Sequence, residues 1–402
     1  MKLLIIYKLI SWGGVILSLI ETWRKDKLSL SEKRIEQLIS FAGDGRLKDG
    51  SDASVELRSF LEVVDSEYLT KYVEQCLQNT FDGSGYALQD LVNEIGKRLD
   101  YTVIHGRYRG AKTHPGHDGL WLDEATGHNI VVEVKTTSAY LIDLDIIAQY
   151  RQALINNSDN DINLSNSSML IVVGRQDTGG LEAQIRGSQH AWDMRLISVE
   201  ALINLLKLKE EVEDPSILHR IHGILIPKEF TRLDQIIDIA FAAVEDMKQE
   251  GIEPSDNDNS SAKKTAPVSF HSECISRIEH HLTVNLIKKS RSSLVSSDGS
   301  LRLVISASRY HEREKRYWFS FHPHHNEFLS KSKNSYIAFG CGSADSLFLI
   351  PFNVFEPWLK EFNTTDNEDR FYWHVKIYPK NDRHLIVGKA GTEAIDITEY
   401  KI

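Results

Sequence analysis

The chain has 402 residues, 41% of them hydrophobic and 26% charged, with a formal net charge of -10. That length suggests two or three domains, and the composition is that of a soluble globular chain. The negative balance argues against a generally basic nucleic-acid binder without excluding one, because the local field at a binding face counts for more than the total. Three widely separated cysteines, Cys76, Cys274 and Cys341, give neither a disulfide framework nor a CxxC metal motif, so a reducing cytoplasm is expected.

The first predicted element is Leu3 to Ile20, almost wholly apolar, broken by Lys8 and followed by Glu21, Arg24 and Lys25. It is long enough to span a bilayer marginally and lacks the small-residue cleavage site of a signal peptide. Three readings stay open: a membrane anchor with its body in the cytoplasm, a helix buried in a dimer or domain interface, or an overextended start. Leu30 to Leu77 reads as mainly helical, with breaks at Gly43-Asp44-Gly45 and at Asp49-Gly50-Ser51. A small bundle packed on the following domain is the preferred reading of that region.

Gly85 to Val103 then shows an amphipathic helix, with Leu88, Leu91, Val92, Ile95 and Leu99 on one face, running into a strand. Next comes PGHDGLWLDEATGHNIVVEVKTT, Pro115 to Thr137, an acid-bearing hairpin turning at Ala125 to Asn129. Alternation along a strand puts Glu133 and Lys135 on one side and Val134 on the other, with Asp118 able to reach the same side from the preceding strand. Two carboxylates and an ammonium around one point suit Mg²⁺-dependent phosphodiester hydrolysis, in which the ion neutralises phosphate and polarises water. A helix near Asp145 to Leu154, an apolar strand Ser168 to Gly174, and a further strand and helix within Ala191 to Leu206 complete the region.

This order of elements, with its D-x(n)-E-x-K spacing, resembles the PD-(D/E)xK nuclease superfamily, in particular its Mrr-like branch. There a Gly-x-Asp-Gly turn supplies the first carboxylate, matched here by Gly116-His117-Asp118-Gly119. The resemblance covers roughly Gly85 to Leu206. It implies an α/β fold with a restriction-endonuclease-like central mixed sheet flanked by helices. It further implies Mg²⁺, replaceable by Mn²⁺, held by Asp118 and Glu133 with the Val134 carbonyl, and Lys135 orienting the attacking water. His117 stands where the family has its name-giving proline, and Glu133 where many Mrr-like members have glutamine. The branch's first-helix glutamate matches Gln89, with Glu94 as the other candidate accessory ligand, and Gln149 stands where related nucleases place a polar residue facing the site. The competing, weaker readings are an exposed ion pair for Glu133 and Lys135 and a plain turn aspartate for Asp118; for Gln149 a solvated helix face fits as well.

Arg175 and Arg186, in a glycine-rich stretch, are candidate phosphate contacts, as surface arginines often are not. A charged run, Lys207 to Asp214, leads to a helix predicted at Leu233 to Gln249, and Glu250 to Val268 is the clearest linker. Ser269 to Ile402 changes character to short aromatic-rich strands: Leu301 to Ala307, Tyr317 to His322, Tyr336 to Gly340, Leu347 to Pro351, Phe371 to Tyr378 and His384 to Val387, with one helix at Val354 to Phe362. Its expected core is Phe319, Phe321, Ile337, Phe339, Leu349 and Phe352. Between Arg277 and Arg316 about nine Lys and Arg face four Asp and Glu. Arg309, Arg313, Lys315 and Arg316, in one hairpin with Trp318, suit a DNA-recognition element. His322-Pro323-His324-His325 lacks the paired spacing of a zinc site, and solvated or DNA-contacting histidines are expected there.

The chain therefore divides into an N-terminal helical region 1–78, a nuclease domain 79–215, a helical extension 216–249, a linker 250–268 and a C-terminal α+β domain 269–402. The function expected is a Mg²⁺-dependent DNA endonuclease of the restriction and defence type, acting as a homodimer. Two alternatives are a nucleic-acid-binding protein with an idle nuclease fold, and a membrane-tethered nuclease switched on by a partner or small signal.

Overall fold

A computed structural model describes residues 18–78, 81–109, 116–136, 142–157, 161–174, 179–212, 221–227, 270–367 and 370–402. The apolar segment as far as residue 17, Arg175, the helix predicted from Leu233 and the linker lie outside the described residues. No helix among those described is long and apolar enough to cross a membrane. The chain is mixed α/β and forms two compact units: Met1–Leu206 with His222–Phe230, and Lys207–Ile221 with Thr231–Ile402.

Among the described residues, five helices come first in this unit: α1 (Leu19–Lys25), α2 (Lys27–Ser31), α3 (Ile35–Phe41), α4 (Asp52–Leu61) and α5 (Ser66–Gln78). Their core is aromatic, with Trp23 edge-on to Phe60 and Tyr68. The expected boundary near residue 78 does not separate units. The Arg98 guanidinium, on the next helix α6 (Ser84–Arg98), donates to the Leu61 and Val64 carbonyls and so ties the bundle to the sheet region.

The sheet follows the order β1 (Thr102–His105), β2 (Gly119–Leu122), β3 (Asn129–Lys135), β4 (Ser167–Val173) and β5 (Met194–Ser198). The first three strands form an antiparallel meander, whereas β3, β4 and β5 run parallel. Parallel pairs need crossovers, here α7 (Leu144–Asn156) and α8 (Gly179–Arg186), while α9 (Val199–Glu211) follows β5.

Side-chain alternation decides the rest. Leu120, Val131, Met169, Ile171 and Val173 share a core with Ile147 and Leu154 of α7 and Leu181 and Ile185 of α8. Trp121, on the opposite face, meets α6, its indole N–H donating to Asn93 Oδ1 at 3.0 Å. Asp118, Glu133 and Lys135 have the parity of Leu120 and Val131, so they belong to the α7 face. Further along, His222, on a short helix at 221–225, bonds Asp123 Oδ2 through Nδ1 at 3.0 Å, donates through Nε2 to Leu99 O, and stacks on Tyr101.

Among the described residues, the second unit contains two sheets. One has the order β11 (Leu347–Pro351), β10 (Asn334–Cys341), β8 (Leu301–Ser308), β7 (Ser293–Ser296), β6 (Leu286–Lys288), with β8 and β10 parallel. The other runs β12 (Thr364–Asn367), β13 (Arg370–Lys380), β14 (Arg383–Ile386), β15 (Ile395–Asp396), with β9 (Tyr317–Phe321) paired to β13. Helix α10 (His271–Leu282) covers one face of the first sheet through Cys274 and Ile278. Its other face shares a core with the second sheet, built on Phe319, Phe321, Ile337, Phe339 and Phe352 as expected. Leu349 differs: it alternates to the α10 side.

The helix expected at Val354 to Phe362 is α12 (Phe352–Phe355) continued as a 3₁₀ turn, Glu356–Glu361. A further helix, α11 (Pro323–Ser330), was not expected. Pro323 occupies its first turn, where the missing N–H costs nothing, and His322 is its N-cap.

Candidate active site

Asp118 immediately precedes β2, and its backbone N–H donates to Val132 O at 3.0 Å, which anchors it beside the end of β3. Its side chain turns to that strand too, since Oδ2 accepts from the Val134 N–H at 2.6 Å. In an extended strand a residue's N–H and C=O point to one edge, so the Val134 carbonyl is directed to the same side. Glu133 is 6% exposed. Its Oε1 accepts from Lys135 Nζ at 2.5 Å, and its Oε2 is buried and meets no protein hydrogen-bond partner.

Burial is the largest influence on both carboxyls, because charge is costly away from water. It pushes Asp118 up to about 7, reinforced by the neighbouring Glu133 charge and opposed by the Val134 N–H and Lys135. Burial likewise raises Glu133, although Lys135 works against it. Lys135 loses from burial, but Glu133 and then Asp118 outweigh that loss and hold its ammonium above the ordinary lysine range. The group is thus two mutually repelling carboxyls and one firmly protonated amine.

No known protein-family model and no curated protein matches this chain.

Among the described residues, no group of three or more His, Cys, Asp or Glu side chains is placed to hold a metal ion. Two carboxylates with a backbone carbonyl are nevertheless a donor set that hard divalent cations accept, Mg²⁺ commonly taking one or two carboxylates and keeping water. The orphaned, buried Glu133 Oε2 fits such an ion, since unpaired buried oxygens are otherwise expensive.

Gln89 and Glu94 need correction as accessory ligands. Helix α6 packs on the Trp121 face, opposite that of Glu133. Gln89 is buried and spends its amide on the Asp118 backbone, Nε2 donating to the carbonyl at 3.0 Å. Glu94 lies five positions on, about 140° round the helix, where it accepts from Arg98 Nε at 2.9 Å in a buried pair. Gln149 is exposed on α7.

Two residues beside this group escaped the sequence reading. Asn93, one turn after Gln89 and on its face, donates to the same Asp118 carbonyl at 2.9 Å. Polar residues spaced i, i+4 on a helix with an apolar stripe were the available signal. Tyr150, next to Gln149, lies within the electrostatic reach of Glu133, Lys135 and Asp118.

The Gly116-x-x-Gly119 frame has a steric basis. A Cβ on Gly116 would sit 2.8 Å from the Tyr150 hydroxyl, and one on Gly119 would sit 2.1 Å from Asn93 Oδ1. His117 is buried, and burial pulls its ring down to about 4, so it is neutral at pH 7.

Of the proposed phosphate contacts, Arg186 pairs with Glu182 on its own helix at 3.8 Å. Arg309, Arg313 and Lys315 are exposed between β8 and β9, whereas Arg316 is half-buried and donates to the Tyr378 hydroxyl at 3.1 Å. The histidine run is structural in part: His325 is buried, its Nδ1 accepting from the His322 N–H at 3.2 Å and its Nε2 meeting Ser292 Oγ at 3.0 Å.

Proposed function

We propose that the chain is a Mg²⁺-dependent endonuclease with a restriction-endonuclease-like first unit, hydrolysing DNA phosphodiesters at Asp118, Glu133 and Lys135. The single observation that carries this reading is the convergence, on one sheet face, of a Glu133 carboxylate with an unpartnered buried oxygen, the Asp118 carboxyl and the Lys135 ammonium. The meander running into parallel strands, with helices on both faces, supports the same assignment. A plain surface ion pair does not account for an arrangement in which two carboxyls are both held above their usual range.

Asp118, Glu133 Oε2 and the Val134 carbonyl would hold the ion. When bound, it supplies charge neutralisation at phosphate and a more acidic water. The protein's own groups do the rest. Gln89 and Asn93 fix the Asp118 backbone from behind. Val134 N–H fixes the carboxylate, and Lys135 orients the attacking water and offsets charge growing on the phosphoryl oxygens. One such site cuts one strand, so a double-strand break calls on two chains, and a homodimer is the natural assembly.

The test is digestion of plasmid DNA with Mg²⁺ or Mn²⁺ by the wild type and by Lys135→Ala. We expect metal-dependent cleavage that falls by about 100- to 1,000-fold in the variant. Equal cutting by both proteins removes Lys135 from the mechanism, and no cutting under any condition removes the nuclease reading.

A further inference from the structure

The proposed nuclease site is rich in negative charge, and its lysine is already engaged by Glu133. A phosphodiester entering it carries its own negative charge, so a neutral donor beside the carboxylates has a distinct use. Tyr150 is placed to be that donor. It sits on α7, which packs on the sheet face that carries Asp118, Glu133 and Lys135, and its ring lies against the core of Leu120, Val131 and Ile147.

That packing brings the phenol to the glycine turn just before Asp118. A methyl group on Gly116 would stand 2.8 Å from the hydroxyl and 3.0 Å from the carbon that bears it. The side chain is half-buried, and among the described residues its hydroxyl makes no hydrogen bond. A phenylalanine would pack equally well, so the ring does not explain the oxygen. Burial, then Glu133 and Asp118, hold the phenol above its ordinary range against the opposing Lys135, so its O–H is kept for hydrogen bonding at neutral pH.

We propose that the Tyr150 O–H donates a hydrogen bond to a non-bridging oxygen of the phosphodiester cleaved at this site, which makes it a fourth catalytic residue. The inference rests on the nuclease reading and adds a substrate contact to it. No proton is transferred. The bond strengthens as charge accumulates on the phosphoryl oxygens, and such donors typically act on the chemical step more than on ground-state binding.

Two measurements on the full-length protein test it. The first compares wild type, Lys135→Ala and Tyr150→Phe for single-turnover cleavage in Mg²⁺, with Mn²⁺ affinity by calorimetry and duplex-DNA affinity in Ca²⁺. Tyr150→Phe should cleave about 10- to 100-fold more slowly, with Mn²⁺ affinity, DNA affinity and thermal midpoint unchanged. The second places 3-fluorotyrosine at position 150 and follows its fluorine resonance as duplex DNA is added in Ca²⁺. A saturable shift is expected.

Cleavage by Tyr150→Phe at the wild-type rate, or a resonance that stays put while DNA binds, overturns the Tyr150 assignment, and the nuclease reading then stands or falls with Lys135→Ala. A wild type that cuts nothing overturns both. If Tyr150→Phe failed to fold, the fluorine measurement on the intact protein would decide alone.

Discussion

A carboxyl raised by burial makes the protein's stability depend on pH, and Asp118 gives that dependence a definite sign. Its unfolded-state value is near 3.8 and its folded value about 7. Between those limits the folded chain binds more protons than the unfolded chain, so stability falls as pH rises. Glu133, also raised, acts in the same direction. Without metal, the thermal midpoint should therefore drop from pH 4 toward pH 7.5 by more in the wild type than in Asp118→Asn, and the variant should be the more stable of the two at pH 7.5. Calorimetry in EDTA checks this, and a variant with the wild-type slope would show that Asp118 is not strained. On the proposed reading Mn²⁺ would compete with the same proton, so its affinity should rise with pH until about 7 and then level off. Titration calorimetry at a series of pH values gives that curve.

At the scale of elements, α6 is the component that holds the site in place. Gln89, Asp90, Asn93 and Glu94 are all buried on it, an unusual load for a helix packed against a sheet. Each is satisfied separately. Gln89 and Asn93 grip Asp118, Glu94 takes Arg98, and Asp90 accepts from Arg58 Nε at 2.9 Å and from the Tyr108 hydroxyl. Asn93→Ala removes a donor from the part-buried Asp118 carbonyl and the acceptor of the buried Trp121 indole, so a loss of about 1–3 kcal/mol is expected. Urea denaturation measures it, and no loss would mean that water replaces the amide.

Local pattern made α6 and β3 legible beforehand: an apolar stripe at helical spacing, and alternation that put Glu133 and Lys135 together. What it did not expose was which side of the sheet α6 would cover. That depends on Trp121 meeting Gly96 and Asn93 across long sequence separation. Hence Glu94 looked like a ligand and Asn93 went unnoticed. α11 was hidden for a different reason, since Pro323 at its start reads as easily as a turn.

For the molecule as a whole, a net charge of -10 bears on the proposal that a polyanion is the substrate. The cations exposed between β8 and β9, Arg309, Arg313 and Lys315, stand beside Glu312 and Glu314, so the hairpin is only modestly basic. If it contacts DNA, it does so through a few phosphates rather than a broad field, and the salt dependence of binding counts them. Each neutralised phosphate steepens the plot of log affinity against log salt by about 0.9. Replacing Arg313 and Lys315 together by glutamine should therefore weaken DNA binding and flatten that slope by about 2. Mn²⁺ affinity should be untouched, because Asp118 and Glu133 belong to the other unit. Fluorescence anisotropy of a labelled duplex in Ca²⁺, at several salt concentrations, supplies both numbers. An unchanged slope would take the hairpin out of the proposed DNA interface and leave the first unit, with Lys135 and Tyr150, as the place where phosphate would be met.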